Sequence, residues 1–457
     1  MKYISTRDSS KEFNFEQVFI KGLADDGGLY VPKSLKKYNT EELQELKNLN
    51  YNELSAEIIN LFSEDFISKE ELSALIKKSY STFREKEVIK ISSLGKIKLL
   101  ELFHGPTLAF KDIAMQFIGN LYEYYLSKND KKINIVVATS GDTGAAAIDA
   151  IKGKSNLNIF VLHPNNRISS VQRKIMTTVE EKNVFNIAID GNFDDCQNIV
   201  KQMFSDLEFS KSINMSGVNS INWARIIAQA VYYFYSYFKL GKETISFSVP
   251  TGNFGDVFAG YLAKKMGLPI DKLIVATNEN DILHRAISKG DYVSKEVKET
   301  LSPSMDIQLA SNFERLIYYV NNSDSEKTAD IMKKIKQNSY QIEKNNLDII
   351  QKDFLSESCN EQETLDIIKK NYEENNIILD PHTAVGVGAA KKLSFNDCVV
   401  LSTAHPCKFP DATNNAINKN EKLPKELQHV LDKEENFQVL KNNTEDVKNF
   451  VKSKIFL

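Results

Sequence analysis

Short apolar runs alternate with helical stretches over most of this chain, and that alternation is its strongest constraint on fold. Parallel strands need crossover connections about as long as a helix, so the pattern predicts an α/β fold with parallel sheet covered by helices on both faces. The apolar runs are residues 97–103, 133–138, 157–162, 184–189, 245–249, 273–276 and 399–401. The predicted helices are 108–126, 143–152, 169–179, 193–207, 221–239 and 255–266. Ligands bind such sheets beyond the carboxyl ends of the strands, so the residues after each run are the candidates for chemistry.

The sequence outside this alternation predicts how the chain is divided. Residues 1–92 have mainly helical patterning, including a capping box at Ser68 and Glu71, and we expect a separate N-terminal unit there. Residues 93–457 form the expected catalytic region, with two subdomains. Within it, residues 290–375 are charged and mostly helical, which indicates an insertion. A last strand and further helices are expected from residue 397.

Composition limits the classes of partner. The chain has 457 residues, with 58 basic and 61 acidic side chains and a net charge of -3. This balance gives no overall field that would attract nucleic acid or a membrane surface, so we expect a small-molecule ligand and neither of those partners. No apolar stretch has the length of a membrane span or a signal peptide. The four cysteines lack metal-ligand spacing, which favours a reducing, cytoplasmic setting without zinc or disulfides. A monomer is compatible with the sequence.

The first of the candidate loops contains a lysine. Residues 104–112 read His-Gly-Pro-Thr-Leu-Ala-Phe-Lys-Asp and follow the run 97–103. Lys111 is predicted in the first turn of a helix at the carboxyl edge of the sheet. A lysine amine becomes nucleophilic toward an aldehyde when burial or a nearby cation lowers its pKa. Taken alone, however, the segment fits a solvated surface lysine at a helix start better.

Two glycine-containing loops follow later runs. Residues 139–144 read Thr-Ser-Gly-Asp-Thr-Gly, whose hydroxyls and free N–H groups at a helix start could bind a carboxylate. Residues 252–256 read Gly-Asn-Phe-Gly-Asp, and their backbone N–H groups could form a phosphate cup without a basic side chain. Neither loop has the spacing of a P-loop or of a dinucleotide-binding fingerprint. The alternative interpretation of residues 139–144 is an N-capped turn that packs a helix onto the sheet, and that of residues 252–256 is a glycine-rich turn with no ligand.

Two further segments carry candidate polar groups. Residues 219–225 read Asn-Ser-Ile-Asn-Trp-Ala-Arg, and Arg225 at a helix start could hold a dianionic phosphate. Arg167 is another candidate anion ligand, although we favour a solvated loop arginine there. The run 399–401 leads into Ser-Thr-Ala-His-Pro at 402–406. A hydroxyl at such a strand end can bond a neutral pyridine nitrogen.

These five segments occur in one order at predicted strand ends, and together they closely resemble the threonine synthase family. The likeness extends to residues 22–32, Gly-Leu-Ala-Asp-Asp-Gly-Gly-Leu-Tyr-Val-Pro. It implies the tryptophan-synthase-β-like fold of pyridoxal-phosphate (PLP) enzymes, fold type II, with PLP held as a Schiff base on Lys111. No metal is implied.

The resemblance also implies a role for each site residue. The cofactor would be bound by Lys111, Phe110, Asp142, Gly252, Asn253, Phe254, Gly255, Asp256 and Thr403. Ser140 and Thr143 would bind the substrate's carboxylate, and Asn219, Ser220 and Arg225 its phosphate. Asp142 is a departure, because many relatives of the fold have Asn beside the 3′-oxygen of the cofactor. An ionised carboxylate cannot donate a hydrogen bond there.

The implied reaction converts O-phospho-L-homoserine and water to L-threonine and phosphate, the last step of threonine biosynthesis. Such an enzyme is a carbon-oxygen lyase, and Lys111 would be its general base. Two alternatives stay open from the sequence. One is a threonine or serine dehydratase of the same fold, which would need no site for a substrate phosphate. The other is a binding protein with this fold and no catalysis, because fold does not fix function.

Overall fold

The computed structural model describes residues 1–165 and 168–455, so the candidate ligand Arg167 lies outside the described residues. The N-terminal part contains β1 (Tyr3–Ser5), α1 (Phe15–Lys21), β2 (Tyr30–Pro32), α2 (Thr40–Leu46), α3 (Tyr51–Ser63) and α4 (Lys69–Tyr80). Ser68 caps α4 by accepting the N–H of Glu71 at 3.2 Å, which is one half of the predicted capping box. The Glu71 carboxylate bonds Tyr124 and Lys128 as well as the Ser68 hydroxyl.

One sheet has six strands, and four of them correspond to the first, fifth, sixth and seventh apolar runs of the sequence. Its strands are β3 (Lys90–Leu94), β4 (Ile97–Glu101), β9 (Ile245–Pro250), β10 (Ile270–Thr277), β11 (Phe354–Ser358) and β12 (Val399–Ser402). They lie in the order β11-β10-β9-β12-β4-β3, with β3 antiparallel to β4 and the other neighbours parallel. The expectation of a mostly helical insertion over 290–375 was therefore incomplete, because β11 continues the sheet within it.

A second sheet of five parallel strands carries the other three runs. Its strands are β5 (Ile133–Ala138), β6 (Leu157–Pro164), β7 (Val184–Asp190), β8 (Met215–Ser216) and β13 (Gln438–Lys441). They lie in the order β13-β7-β6-β5-β8. The strand after residue 397 was expected to be the last, which is wrong, because β13 pairs with β7 near the end of the chain. It is an edge strand with mostly exposed side chains, so no apolar run marks it.

Helices connect the strands of both sheets. They are α5 (Lys111–Asn129), α6 (Asp142–Ile151), α7 (Ser170–Thr177), α8 (Phe193–Ser205), α9 (Leu207–Ser212), α10 (Trp223–Leu240), α11 (Gly255–Lys265), α12 (Ile282–Lys289), α13 (Phe313–Val320), α14 (Ser325–Lys336), α15 (Lys344–Asp353), α16 (Glu361–Asn375), α17 (Pro381–Lys392), α18 (Pro410–Ile417) and α19 (Thr444–Lys454). The six predicted helices are all present. The first of them begins at Lys111 and not at 108, because Leu108 has a φ of 66° that an α-helix cannot contain.

Helix α10 joins the N-terminal part to the rest of the molecule. It packs against α3 and α11 and is buried on nearly every face. Trp223 at its start makes edge contacts with the rings of Tyr3 and Phe62. The shared core fixes the start of α10, which carries Arg225. None of the helices that the structure describes is long and apolar enough to cross a membrane.

Candidate active site

The turn before α5 fixes the position of Lys111. Within it, the N–H and the hydroxyl of Thr107 donate to the Asp112 carboxylate at 2.8 and 2.5 Å. The N–H of Phe110 donates to the carbonyl of Thr403 at 2.8 Å. Strands β4 and β12 are parallel neighbours that end together, and this bond joins the loops that follow them. Lys111 and Thr403 therefore lie beside each other, as their places after strand ends predicted.

Lys111 is buried, and its amine has few acceptors. Its Nζ lies 3.2 Å from Oδ2 of Asp142 and 3.2 Å from Oγ of Ser304, and 5.0 Å from the ring centroid of Phe110. Burial lowers the pKa of Lys111, and the charges of Lys408 and Arg225 lower it further against the opposing effect of Asp142. An amine that loses its proton readily is the form that attacks an aldehyde.

Asp142, the first residue of α6, is ionised. Its Oδ1 accepts the amide of Gln172 at 2.9 Å and lies 2.6 Å from Nζ of Lys408. Burial alone would raise the pKa of Asp142, but the ammonium groups of Lys408 and Lys111 bring it well below its ordinary value. Asp142, which was predicted to stand where many relatives have asparagine, is thus a carboxylate paired with two lysines.

Ser140 and Thr143 lie at the same helix start. Both side chains are half-buried, and the hydroxyl that caps the helix belongs to their neighbour Thr139. Its Oγ1 accepts the N–H groups of Gly141 and Gly144, each at 2.9 Å. Because Thr139 does the capping, the hydroxyls of Ser140 and Thr143 are not needed to cap this helix and can be offered to a ligand.

Residues 252–256 form a tight turn at the start of α11. The helix begins at Gly255, so the N–H groups of its first turn have no partner inside the helix. Asn253 is exposed, and its carbonyl accepts the backbone N–H and the side-chain amide of Asn312, each at 3.1 Å. Phe254 has a φ of 63°, in the left-handed region, which turns the chain sharply into the helix. This arrangement fits the predicted phosphate cup.

Gly252 packs against the backbone of Ser304 and Met305. A Cβ at Gly252 would lie 2.5 Å from the carbonyl oxygen of Ser304, which is backbone and cannot rotate away. A Cβ at Gly255 would lie 3.2 Å from the side-chain amide of Asn312, which can move. A side chain at position 252 therefore disturbs the cup more than one at position 255.

We expect Gly252→Ala to weaken PLP binding by about 10-fold or more, since overpacking of this kind costs roughly 1–3 kcal/mol. Displacing Ser304 also disturbs its contact with Lys111. Equilibrium titration of the cofactor, followed by absorbance, measures the effect. Gly255→Ala is the matched control and should show a smaller loss. Equal affinities for wild type and Gly252→Ala would contradict the role of this turn as the phosphate cup.

The Asp256 side chain bonds two tyrosines and is not part of the phosphate cup for which it was predicted. Its Oδ1 accepts the hydroxyls of Tyr232 and Tyr233 at 2.5 and 2.9 Å. Burial raises the pKa of Asp256 to about 6. Only its backbone N–H, in the first turn of α11, suits an anion.

Asp256→Asn is expected to stabilise the protein above pH 6. A carboxyl whose pKa is raised on folding contributes stability below its unfolded pKa and loses it as pH rises toward 6. A pKa raised by about 2 corresponds to about 3 kcal/mol at pH 7 and above. Asparagine keeps the acceptor for both tyrosines without the charge. Melting temperatures of the two proteins should diverge between pH 4 and about pH 6 and keep that difference up to pH 8. A difference that does not grow between pH 4 and about pH 6 would contradict the assignment.

Arg225 is a buried cation with a spare donor. Its Nη1 donates to the carbonyl of Val218 at 3.2 Å, whereas its Nε has no hydrogen-bond partner among the described residues. Burial lowers the pKa of Arg225 to about 10, so it stays charged at neutral pH. Of its predicted companions, Asn219 has an exposed side chain, and Ser220 is half-buried with its carbonyl bonded to Asn312 at 3.2 Å. A buried guanidinium with an unused N–H fits an anion.

Sequence reasoning missed an Asp–His pair that supports the site. Nε2 of His382 accepts the backbone N–H of Ser304 at 3.3 Å, so its Nδ1 carries the proton and donates to Oδ1 of Asp380 at 3.0 Å. Asp380 also caps α17 and bonds the hydroxyl of Thr383, which accepts the N–H of Thr403 at 3.3 Å. This pair therefore holds both Ser304 and Thr403. The available signal was Asp-Pro at 380–381, a typical helix start after an apolar run.

The residues present fit PLP. A buried amine of lowered pKa, free N–H groups at the start of α11 and a buried hydroxyl residue at a strand end suit its aldehyde, its phosphate and its ring nitrogen. The backbone groups of Thr403 are both engaged, so its hydroxyl is what it can offer. Arg225 provides a second position for an anion.

Comparison with known families matches three parts of the chain. Residues 2–80 match the family "Threonine synthase N terminus", residues 94–326 "Pyridoxal-phosphate dependent enzyme" and residues 383–451 "Threonine synthase, C-terminal". The chain is 44% identical to threonine synthase of Pseudomonas aeruginosa, over 99% of this chain and 98% of that one. It is 45% identical to threonine synthase of Saccharomyces cerevisiae, over 94% and 93%. The crystal structure of PLP-bound threonine synthase from Brucella melitensis superposes with a TM-score of 0.96, at 43% identity and over 100% of both chains.

Proposed function

We propose, from the premise that this chain belongs to the threonine synthase family, that it converts O-phospho-L-homoserine and water to L-threonine and phosphate. The protein is a PLP-dependent enzyme of fold type II, acting as a carbon-oxygen lyase. The choice of substrate depends on Arg225, a buried guanidinium whose Nε has no hydrogen-bond partner among the described residues. It provides a second anion site beside the one expected at the phosphate cup. A substrate with its own phosphate requires such a second anion site.

The residues that would hold the cofactor come from four strand ends. Lys111 would carry it covalently, with Phe110 and Asp142 beside it. The backbone of residues 252–256 would bind its phosphate, and the hydroxyl of Thr403 its ring nitrogen. When bound, PLP accepts the electron pair that a substrate carbon releases on losing its proton.

The substrate would lie between Lys111 and two groups of polar residues. Ser140 and Thr143 would bind its carboxylate, at the start of α6 where free N–H groups favour an anion. Asn219, Ser220 and Arg225 would bind its phosphate, with the guanidinium of Arg225 matching two phosphate oxygens. These contacts would orient the carbons of the substrate toward the amine of Lys111.

Lys111 would then move the protons. Its amine takes the α-proton and passes it to the phosphate of the substrate, which frees the amine to take a β-proton. Phosphate then leaves from the γ-carbon into the site of Arg225 and carries the first proton with it. Lys111 returns protons to the carbon chain as water adds its hydroxyl at the β-carbon, so that the sum is threonine plus phosphate. The lowered pKa of Lys111 suits proton transfer in both directions better than the pKa of an ordinary lysine does.

The choice between this reaction and a dehydratase is tested by supplying both kinds of substrate. We expect the purified protein with PLP to release phosphate from O-phospho-L-homoserine and to form threonine. We expect little keto acid from L-threonine or L-serine, because those substrates leave the Arg225 site without an anion. Keto acid as the main product, with no phosphate release, would favour the dehydratase.

We also propose a domain division, an oligomeric state and a cellular compartment for this protein. We divide the chain into an N-terminal unit, 1–92, and a catalytic region, 93–457. A monomer is the oligomeric state that we propose. The cytoplasm is the setting that we propose, since the four cysteines are buried and unpaired.

A further inference from the structure

Lys408 is a second lysine of the site and is fully buried, with 0% of its side chain exposed. Its Nζ lies 2.6 Å from Oδ1 of Asp142 and donates to the carbonyl of Thr107 at 2.7 Å. It ends a short 3₁₀ turn, Pro406–Lys408, whose last carbonyl accepts the hydroxyl of Ser169 at 2.9 Å. Its backbone and its amine are therefore both fixed.

Two amines and one carboxylate share this buried space. Asp142 offers Oδ1 to Lys408 and Oδ2 to Lys111. With both amines protonated the cluster carries a net positive charge, and Arg225 on α10 adds to it. Asp256 on α11 acts on Lys111 in the opposite sense, although it is tied to two tyrosines. Asp112 on α5 is a further buried carboxyl: burial raises its pKa to about 6, and the charge of Lys408 opposes that rise. These carboxyl groups offset the positive charges, so the cost of burying an ammonium group is the main reason for one amine to lose its proton.

The contacts decide which amine that is. Lys408 has two oxygen acceptors, a carboxylate and a carbonyl, at 2.6 and 2.7 Å. Lys111 has a longer carboxylate contact, 3.2 Å, and otherwise the neutral hydroxyl of Ser304. Short charge-assisted bonds stabilise an ammonium group more than long ones. The contacts of the two amines therefore favour the loss of a proton from Lys111.

We propose that Lys408 is a positioning residue that neutralises Asp142 and thereby leaves Lys111 as a free amine at neutral pH. The proposal rests on the proposed role of Lys111 as the lysine that binds PLP. Without Lys408, the ionised Asp142 has Lys111 as its one lysine partner among the described contacts, and that pairing favours the ammonium form. An ammonium group neither attacks an aldehyde nor accepts a proton. The direction in which Lys408 acts on the pKa of Lys111 agrees with this.

The rate of PLP loading as a function of pH tests the proposal. The full chain, freed of cofactor, is mixed with PLP, and the visible absorption of the lysine-bound cofactor is followed from about pH 6 to about pH 10. In Lys408→Met the pH of half-maximal rate should rise by about 1 to 3 units. In Asp142→Asn it should fall below the wild-type value. The double variant should return close to wild type, and the acid limb of kcat against pH should move in parallel.

Two further variants separate charge from packing. Lys408→Arg keeps the cation and should stay near wild type. Lys154→Met removes another largely buried lysine, bonded to Asn120 and Glu123 at 2.8 and 2.9 Å, and should leave the pH of loading unchanged. Lys154 follows the far end of α6, about 15 Å along the helix from Asp142.

An unchanged pH of half-maximal loading in Lys408→Met would overturn the proposal, as would a shift in Lys408→Arg as large as in Lys408→Met. Should Lys408→Met fail to fold, Asp142→Asn decides alone, and a value that does not fall would overturn it. Failure of the wild-type protein to form the visible band at any pH would instead contradict the role of Lys111. The two failures are therefore distinct.

Discussion

Lys111→Ala is expected to lose the visible absorption of bound PLP and essentially all formation of threonine. The side chain provides both the covalent attachment and the proton transfers. The lost proton transfers alone should lower kcat by about 10²- to 10⁴-fold. Absorbance spectra of the purified protein with added PLP, together with phosphate-release rates, measure both effects.

Lys154→Ala is the control, because it removes a largely buried lysine that has its own partners elsewhere. It should keep the absorption band and the activity. Retention of the band in Lys111→Ala would assign the cofactor to another amine, such as Lys408, and would contradict the role proposed for Lys111.

Arg225→Ala is expected to lower kcat/KM for O-phospho-L-homoserine by about 10²- to 10⁴-fold, because it removes two hydrogen bonds to a charged group. Hydrogen bonds to a charged group are worth roughly 1.5–3 kcal/mol each, and the guanidinium can offer two to a phosphate. The absorption of bound PLP should persist, because the cofactor phosphate has its own site at α11. Steady-state kinetics and spectra of the same preparation measure the two effects together.

Arg225→Lys separates charge from geometry. It keeps the cation but loses the planar fork, so an intermediate kcat/KM is expected. A melting curve of each variant shows whether the buried site has collapsed. Unchanged kcat/KM in Arg225→Ala would remove the argument for a substrate phosphate at this place, and with it the preference for phosphohomoserine over a hydroxy amino acid.

Apolar runs made most of both sheets predictable. Strands buried on both faces must be apolar along their length, and each of the seven runs is a strand. Strand β11 was not predicted because only Phe354 and Ser356 are buried in it. Its sequence therefore shows only a short alternation within charged residues. Strand β13 has almost no buried side chain at all. Periodicity cannot mark a strand whose side chains face water.

The site was predictable where it follows strands and not where it depends on tertiary contact. Lys111, Asp142 and Thr403 each follow a recognisable run, and the structure brings their loops together. Ser304 and Lys408 lie in three-residue 3₁₀ turns, which are too short to show a periodicity in the sequence. A lysine is ordinarily a surface residue, so its burial at 408 can be read only from the fold.

The proposed reaction requires that phosphate leaves by carbon-oxygen cleavage and that water adds at the β-carbon of the same molecule. Turnover of O-phospho-L-homoserine in water enriched in oxygen-18, with both products examined by mass spectrometry, tests it directly. We predict threonine with one oxygen-18 in its β-hydroxyl, phosphate with none, and equal amounts of the two. Oxygen-18 in the phosphate, with homoserine in place of threonine, would mean simple hydrolysis of the ester and would contradict the proposed reaction.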